Sequence, residues 1–203
     1  MSWKDEQKWE KDWHGNCVNS YWEETKQIVY ARKMGLQAQS IKGKYPVYDL
    51  QNKCVLDIGG GPYSMLLKCI NINKHSGIVD PCDYPQWVIE RYKMILPSSH
   101  ILKLKGEDIS RPIEGKEFDE VWIYNVLQHT DDPKKILQNA YKISRVIRVF
   151  EWIDTPITPG HPHSLTSKKL NTWLQGEGKT EDLNESGCVG RAYYGVFKGY
   201  FYE

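Results

Sequence analysis

The sequence lacks an excess of charge of either sign: 27 lysines and arginines meet 26 aspartates and glutamates. Proteins that hold nucleic acid usually present a basic face, so this balance argues against a polyanionic partner. There is no apolar run of the roughly 18 residues that a membrane-spanning helix needs. The start, Met1-Ser2-Trp3-Lys4-Asp5-Glu6, lacks the apolar core of a secretory signal. Cysteine is scarce and scattered, at Cys17, Cys54, Cys69, Cys82 and Cys188, with no Cys-x-x-Cys pair. That pattern speaks against a disulfide framework or a zinc site and fits a reducing, cytoplasmic setting. Repeats and low-complexity segments are also missing. What remains is 203 residues, 40% hydrophobic and 26% charged, the profile of one soluble globular domain.

Against this background one stretch stands out, Cys54-Val55-Leu56-Asp57-Ile58-Gly59-Gly60-Gly61-Pro62. A short apolar strand ends in a carboxylate and breaks into three glycines. Without Cβ atoms, a ligand can rest directly on the main chain there. From here on, short apolar runs alternate with amphipathic stretches, which predicts βα units on a parallel sheet. Strands are expected at 55–58, 77–79, 101–105, 118–124 and 146–152. Helices are expected at 64–72, from Pro85 to about Leu96, and after Asp131-Asp132-Pro133 to about Ile143. Acidic residues and a first-turn proline suit that last helix start. Thr166 reads as the N-cap of a helix ending near Gly176, and 180–183 with 191–201 as a terminal hairpin.

The first 45 residues read as a helical arm. Trp9, Trp13, Cys17 and Tyr21 recur every fourth position, with Val18 and Trp22 in a parallel row. Such a stripe packs on the sheet, covers the ligand cleft, or does both.

The order of the landmarks resembles the class I S-adenosylmethionine-dependent methyltransferases. Asp57, Gly59 and Gly61 match that family's acid followed by G-x-G, with Gly60 between them; Tyr63 stands where a further glycine is usual. Asp80, in Val79-Asp80-Pro81, matches the acid after the second strand that binds the ribose diol. A carboxylate can accept two hydrogen bonds at once, which suits a cis-diol. Glu107 and Asp108 follow the third strand, where the family's acid meets the adenine amino group. Asp108 is the expected one, with Ile109 packing on the ring. Asn125-Val126-Leu127-Gln128-His129 resembles the Asn-x-Leu-x-His stretch of small-molecule members, whose backbone near Asn125 meets the amino acid end of the cofactor. The resemblance implies a Rossmann-like α/β fold. Its seven-stranded, mostly parallel sheet has an antiparallel last strand and helices on both faces. Residues 46–203 would form the cofactor-binding core and 1–45 the lid.

S-adenosylmethionine brings an electrophilic methyl group, so a protein needs to align an acceptor and help remove its proton. Histidine titrates in the right range. His129 follows the fourth strand, and His161 and His163 resemble the family's substrate wall. His161 or His163 is the expected base, with His129 shaping the site, although each could equally be a surface or capping residue. His161, His163 and Asp154 fall short of a metal-ligand pattern, and no metal is expected. Glu151 and Asp154 could orient an acceptor; Glu151 could instead pair with Arg148 or cap the next turn.

The expected acceptor is an oxygen or nitrogen of a small polar metabolite, sugar or natural product. A nucleic-acid or protein acceptor is the alternative, although the Asn/Asp-Pro-Pro-Tyr motif of base methylation is absent. A non-catalytic binding module and a nicotinamide enzyme are further alternatives. The latter is disfavoured because Ser64 occupies the third glycine position of G-x-G-x-x-G. With so short a chain, the arm, the 161–178 region or a second subunit of a homodimer must complete the pocket.

Overall fold

The computed structural model describes residues 20–42, 45–109 and 117–201, together with Lys8 and Asp12. Ten strands follow in order: β1 (Ala38–Lys42), β2 (Tyr45–Asp49), β3 (Val55–Ile58), β4 (Cys69–Ile70), β5 (Gly77–Val79), β6 (Ile101–Leu102), β7 (Phe118–Tyr124), β8 (Ser144–Trp152), β9 (Lys179–Glu185) and β10 (Cys188–Lys198). Among the described residues, the helices are α1 (Ser20–Lys33), α2 (Gln86–Lys93), α3 (Pro133–Ile143) and α4 (Ser167–Leu174). Seven strands form one sheet in the order β6-β5-β3-β7-β8-β10-β9. β6 through β8 pair in parallel, and β10 lies antiparallel to both β8 and β9. This is the Rossmann-like sheet expected from the sequence.

Side-chain alternation along the central strands explains why both faces are covered. Val55, Trp122, Tyr124 and Phe150 point to a core that Val29 and Tyr30 of α1, Met34 just after it, and Val88 and Tyr92 of α2 complete. Leu56, Ile58, Val121 and Ile123 point to the opposite core, closed by Ile136 and Leu137 of α3 and Leu170 and Leu174 of α4. Two helix starts follow the sequence closely. Asp132 Oδ1 accepts from Lys135 N at 3.0 Å and Pro133 opens α3; Thr166 Oγ1 accepts from Lys169 N at 3.3 Å.

An ion pair between β7 and β8 also reaches the chain just past the end of α1. Arg148 donates from Nε to Glu120 Oε2 at 2.6 Å and from Nη2 to Oε1 at 3.0 Å, while its Nη1 reaches Met34 O at 2.7 Å. Arg148 lies opposite Trp122 on β7, so Glu120 is its diagonal neighbour on the same face. Arg148 therefore pairs with Glu120 and not with Glu151.

Three stretches depart from the sequence expectation. The helix expected at 64–72 is a 3-10 turn, Met65–Lys68, followed directly by β4. There Tyr48 of β2 registers with Cys69, and Leu50 N donates to Ile70 O at 3.1 Å, so the chain is drawn into a second, three-stranded sheet, β1-β2-β4. That sheet also makes the end of the supposed helical arm a β-hairpin. β6 stops at Leu102, well short of Lys105. Trp9, Trp13, Cys17 and Val18 lie outside the described residues, as does the Tyr21 side chain. Trp22 is 60% exposed and does not pack on the sheet. Among the described residues no helix is long and apolar enough to cross a membrane.

Candidate active site

A cleft of about 400 Å³ opens at the carboxyl ends of β3, β5 and β7. Its floor is the loop Gly59–Tyr63, and Asp80, Pro81 and Asn125 flank it. Open α/β sheets bind ligands at this edge, where the strand order reverses. Here the reversal falls between β3 and β7, with β5 on the other side of β3.

The loop is held by groups behind and beside it. Gly59 N donates to Val79 O at 2.7 Å, and Gly61 N to Asp80 Oδ2 at 2.9 Å. The other Asp80 oxygen accepts from Cys82 N at 2.9 Å. Burial raises the Asp80 pKa, and these N–H bonds oppose the rise. The Tyr92 hydroxyl accepts from Ser64 N at 3.0 Å and donates to Gly61 O. Gly59 has φ +72°, and a Cβ there would meet Val126 Cγ2 at 2.4 Å. Gly61 has φ +62°, and a Cβ there would meet nothing within 4 Å, because it would project into the cleft.

Asp57, by contrast, is fully buried and is not part of the cleft wall. Its Oδ2 accepts from Ser64 Oγ at 2.5 Å and Tyr124 Oη at 2.6 Å, so it braces the loop from beneath. Burial pushes its carboxyl up to about 6 against those two bonds, and Oδ1 has no hydrogen-bond partner.

The expected adenine residues are turned elsewhere. Asp108 is 61% exposed and lies 3.8 Å from Lys135 Nζ, and Ile109 is buried in the α3/α4 core. The buried acid of the pair is Glu107, whose Oε1 accepts from Asp131 N at 2.9 Å and Asp132 N at 3.0 Å. The physical reason is the 3-10 turn at Gly106–Asp108: it points one of two adjacent acids inward, and the inward one meets the N–H groups that open α3.

The histidines separate in the same way. His129 and His161 both border the cleft, edge-to-face with ring centroids 4.6 Å apart. His129 Nδ1 lies 2.7 Å from Gly160 O. A carbonyl only accepts, so Nδ1 carries the proton and Nε2 keeps the lone pair of the neutral ring. His163 is not part of the cleft wall; its Nε2 lies 3.2 Å from Asp131 O. Of the three expected histidines, His129 and His161 therefore face the cleft and His163 does not line it. Asp154 faces Arg191 at 3.5 Å, and no metal-binding group of side chains occurs among the described residues.

Glu151 turns out to be a cap. Its Oε1 accepts from Val126 N at 2.9 Å and Leu127 N at 3.0 Å, fixing the turn that carries His129. Burial pushes its carboxyl up to about 7, opposed by those two N–H groups and His129. Tyr63 lines the cleft and also packs on Trp87, with the Arg91 guanidinium 4.5 Å from its ring centroid.

The sequence assigned the arm to the pocket without singling out the residues that reach it. Glu23, Lys26, Gln27 and Tyr30 of α1 line the cleft, with Trp152 of β8. Their i, i+3, i+4, i+7 spacing marks one helix face and was the available signal.

Together the reversal-point cleft and the glycine loop define an α/β protein that binds a nucleoside-bearing cofactor. Residues 56–146 match the family described as a methyltransferase domain. No curated protein matches the sequence. Among solved structures, the N-methyltransferase NodS of Bradyrhizobium japonicum, crystallised with S-adenosyl-L-homocysteine, aligns over 73% of this chain and 78% of its own at 16% identity and TM-score 0.53. An S-adenosylmethionine-dependent methyltransferase of Thermotoga maritima aligns over 98% and 94% at 15% identity and TM-score 0.57. A chain from the complex of the Haloferax volcanii Trm112 methyltransferase activator with a methyltransferase aligns over 96% and 97% at 12% identity and TM-score 0.61. At such identities the likeness carries the fold alone. With the domain match over residues 56–146 and the sheet order, the chain is similar to the class I S-adenosylmethionine-dependent methyltransferases.

The residues present fit such a cofactor. Gly61 leaves backbone bare toward the cleft, and the Asp80 carboxylate borders it at the end of β5, held by the N–H groups of Gly61 and Cys82 and by the Tyr84 and Cys82 side chains.

Proposed function

We propose that this enzyme methylates an oxygen or nitrogen of a small polar metabolite, sugar or natural product. The observation that carries this reading is the closure of the cleft. α1 of the same chain and Trp152 wall it opposite the glycine loop, leaving about 400 Å³, the scale of a small-molecule site.

In this reading the backbone of Gly59, Gly60 and Gly61 receives the cofactor. Asp80 and Pro81 meet its ribose, and Asn125 its amino acid end. Asp57 supports the loop from behind, while Asp108 and Ile109 take no part. When bound, S-adenosylmethionine supplies a methyl group on a positively charged sulfur, which is already electrophilic. The chain's own work is to hold an acceptor in line and to take its proton. His129 is suited to that, because the Gly160 carbonyl fixes its tautomer and leaves Nε2, 3.5 Å from Gln128 Nε2, as the ring's acceptor nitrogen. His161 forms the adjoining wall.

Calorimetry with S-adenosylhomocysteine and with NAD tests the cofactor assignment; binding of NAD alone would overturn it. Incubation with S-adenosylmethionine and a metabolite library, read as the mass gain of one methyl, tests the acceptor class. Methyl transfer to RNA, DNA or protein, with none to the library, would overturn that part.

A further inference from the structure

We infer that Gln27 is a positioning residue that couples the cofactor loop to α1, so that occupancy of the loop orders the wall on the acceptor side. The inference rests on the cofactor reading above and adds to it a link between the two halves of the cleft.

Four of the loop's polar backbone atoms are gripped from the sheet side or from α2. Gly59 N is held by β5, Gly61 N by Asp80, and Gly61 O and Ser64 N by Tyr92. The Tyr63 carbonyl is different: its partner, Gln27 Nε2, comes from α1. Gln27 is 5% exposed and borders the cleft.

The orientation of its amide is dictated by its other neighbour. Lys68 Nζ lies 2.7 Å from Gln27 Oε1, and an ammonium only donates, so the oxygen must face Lys68 and the NH₂ must face Tyr63 O. Lys68 is itself 8% exposed and held 3.5 Å from Glu24, another α1 residue. The cluster exists because the chain forms a tight 3-10 turn at Met65–Lys68 instead of a crossover helix. That turn brings Lys68 back beneath α1, which also presents Glu23, Gln27 and Tyr30 to the cleft. A shift of the Tyr63 peptide on ligand binding therefore pulls on the same helix that bounds the acceptor space.

The test is hydrogen–deuterium exchange with S-adenosylhomocysteine, compared for the native chain, Gln27→Ala and Gln27→Glu. The Glu variant keeps the shape and the Lys68 contact but cannot donate to Tyr63 O. In the native chain the ligand should slow exchange across Ser20–Lys33 as well as in the loop 59–64. In both variants calorimetry should still detect the ligand, bound roughly tenfold more weakly, as losing one buried hydrogen bond implies. The loop should still be protected while α1 exchanges at its ligand-free rate. Ligand binding to the native chain without any change in α1 overturns the coupling, as does undiminished α1 protection in both variants. Failure of the native chain to bind S-adenosylhomocysteine at all is a different result: it removes the cofactor assignment, and the coupling with it.

Discussion

His129 Nδ1 sits 2.7 Å from the carbonyl oxygen of Gly160, so the residue just before His161 sets the tautomer of the ring beside it. The turn after β7 and the segment after β8 are thereby joined at one hydrogen bond. Under the proposed function, His129→Ala should lower kcat by about 10²- to 10⁴-fold, the usual worth of a positioned base. Its affinity for S-adenosylhomocysteine should stay within about twofold. His163→Ala, outside the cleft, should leave both unchanged. Turnover measured as S-adenosylhomocysteine release, alongside calorimetry, distinguishes the cases; near-native turnover of His129→Ala would remove it as the base.

Gly59 and Gly61 look interchangeable in the sequence but carry different burdens. Both have positive φ, which costs an L-residue roughly 1–2 kcal/mol. At Gly59 a methyl group would also overlap Val126, so Gly59→Ala should displace the 125–129 turn and lower the melting temperature. At Gly61 the methyl enters open cleft. Gly61→Ala should keep a melting temperature near the native one and lose most of its affinity for S-adenosylhomocysteine. The reverse order, a stable Gly59→Ala or a Gly61→Ala that binds normally, contradicts the placement of the loop.

The strands β3, β5 and β7 were legible to the residue because each is a buried apolar run bounded by a turn signal. The caps of α3 and α4 were equally clear, since Asp132 and Thr166 act locally. What stayed hidden depends on distant partners. The 3-10 turn after the loop arises because β2 captures Cys69, and nothing near residue 65 announces that. The choice between Glu107 and Asp108 turned on which acid met the start of α3, 24 residues away. Glu151 was left open between acceptor contact, ion pair and cap, because only the fold shows Arg148 already occupied by Glu120.

That Glu120–Arg148 pair gives a stability prediction. Glu120 and Arg148 side chains are 5% and 14% exposed, so removing one leaves the other charged and buried. Glu120→Ala should cost about 3–5 kcal/mol in urea unfolding at neutral pH. Burial pushes the Glu120 carboxyl up, but the hydrogen bond and charge of Arg148, helped by Lys53 and Trp122, outweigh it and bring it to about 2. A depressed carboxylate stabilises the fold above its ordinary pKa, and that contribution is lost as pH falls from about 4.5 toward 2. The native chain should therefore lose stability steeply in that window, and the variant less so. Parallel acid-unfolding curves would contradict the pair's role.

Glu151 has the opposite sign. Its carboxyl ordinarily titrates at 4.5 but at about 7 in the folded chain, where burial outweighs the N–H groups of Leu127 and Val126. Between those values the folded state holds a proton that the unfolded chain has released. Stability from this group is therefore fully present below pH 4.5 and is lost as pH rises through 7, by roughly 3 kcal/mol. Asp57, raised to about 6, adds a loss of the same sign between its ordinary 3.8 and that value. Glu151→Gln keeps an oxygen for Val126 N and Leu127 N and does not titrate. Its melting temperature should fall less than the native one between pH 4.5 and 7, retaining only the part due to Asp57 and its neighbours. If the two pH profiles superimpose, Glu151 is charged in both states throughout that range. The turn bearing His129 would then rest on an ordinary exposed cap rather than on a carboxyl sealed beneath the cleft.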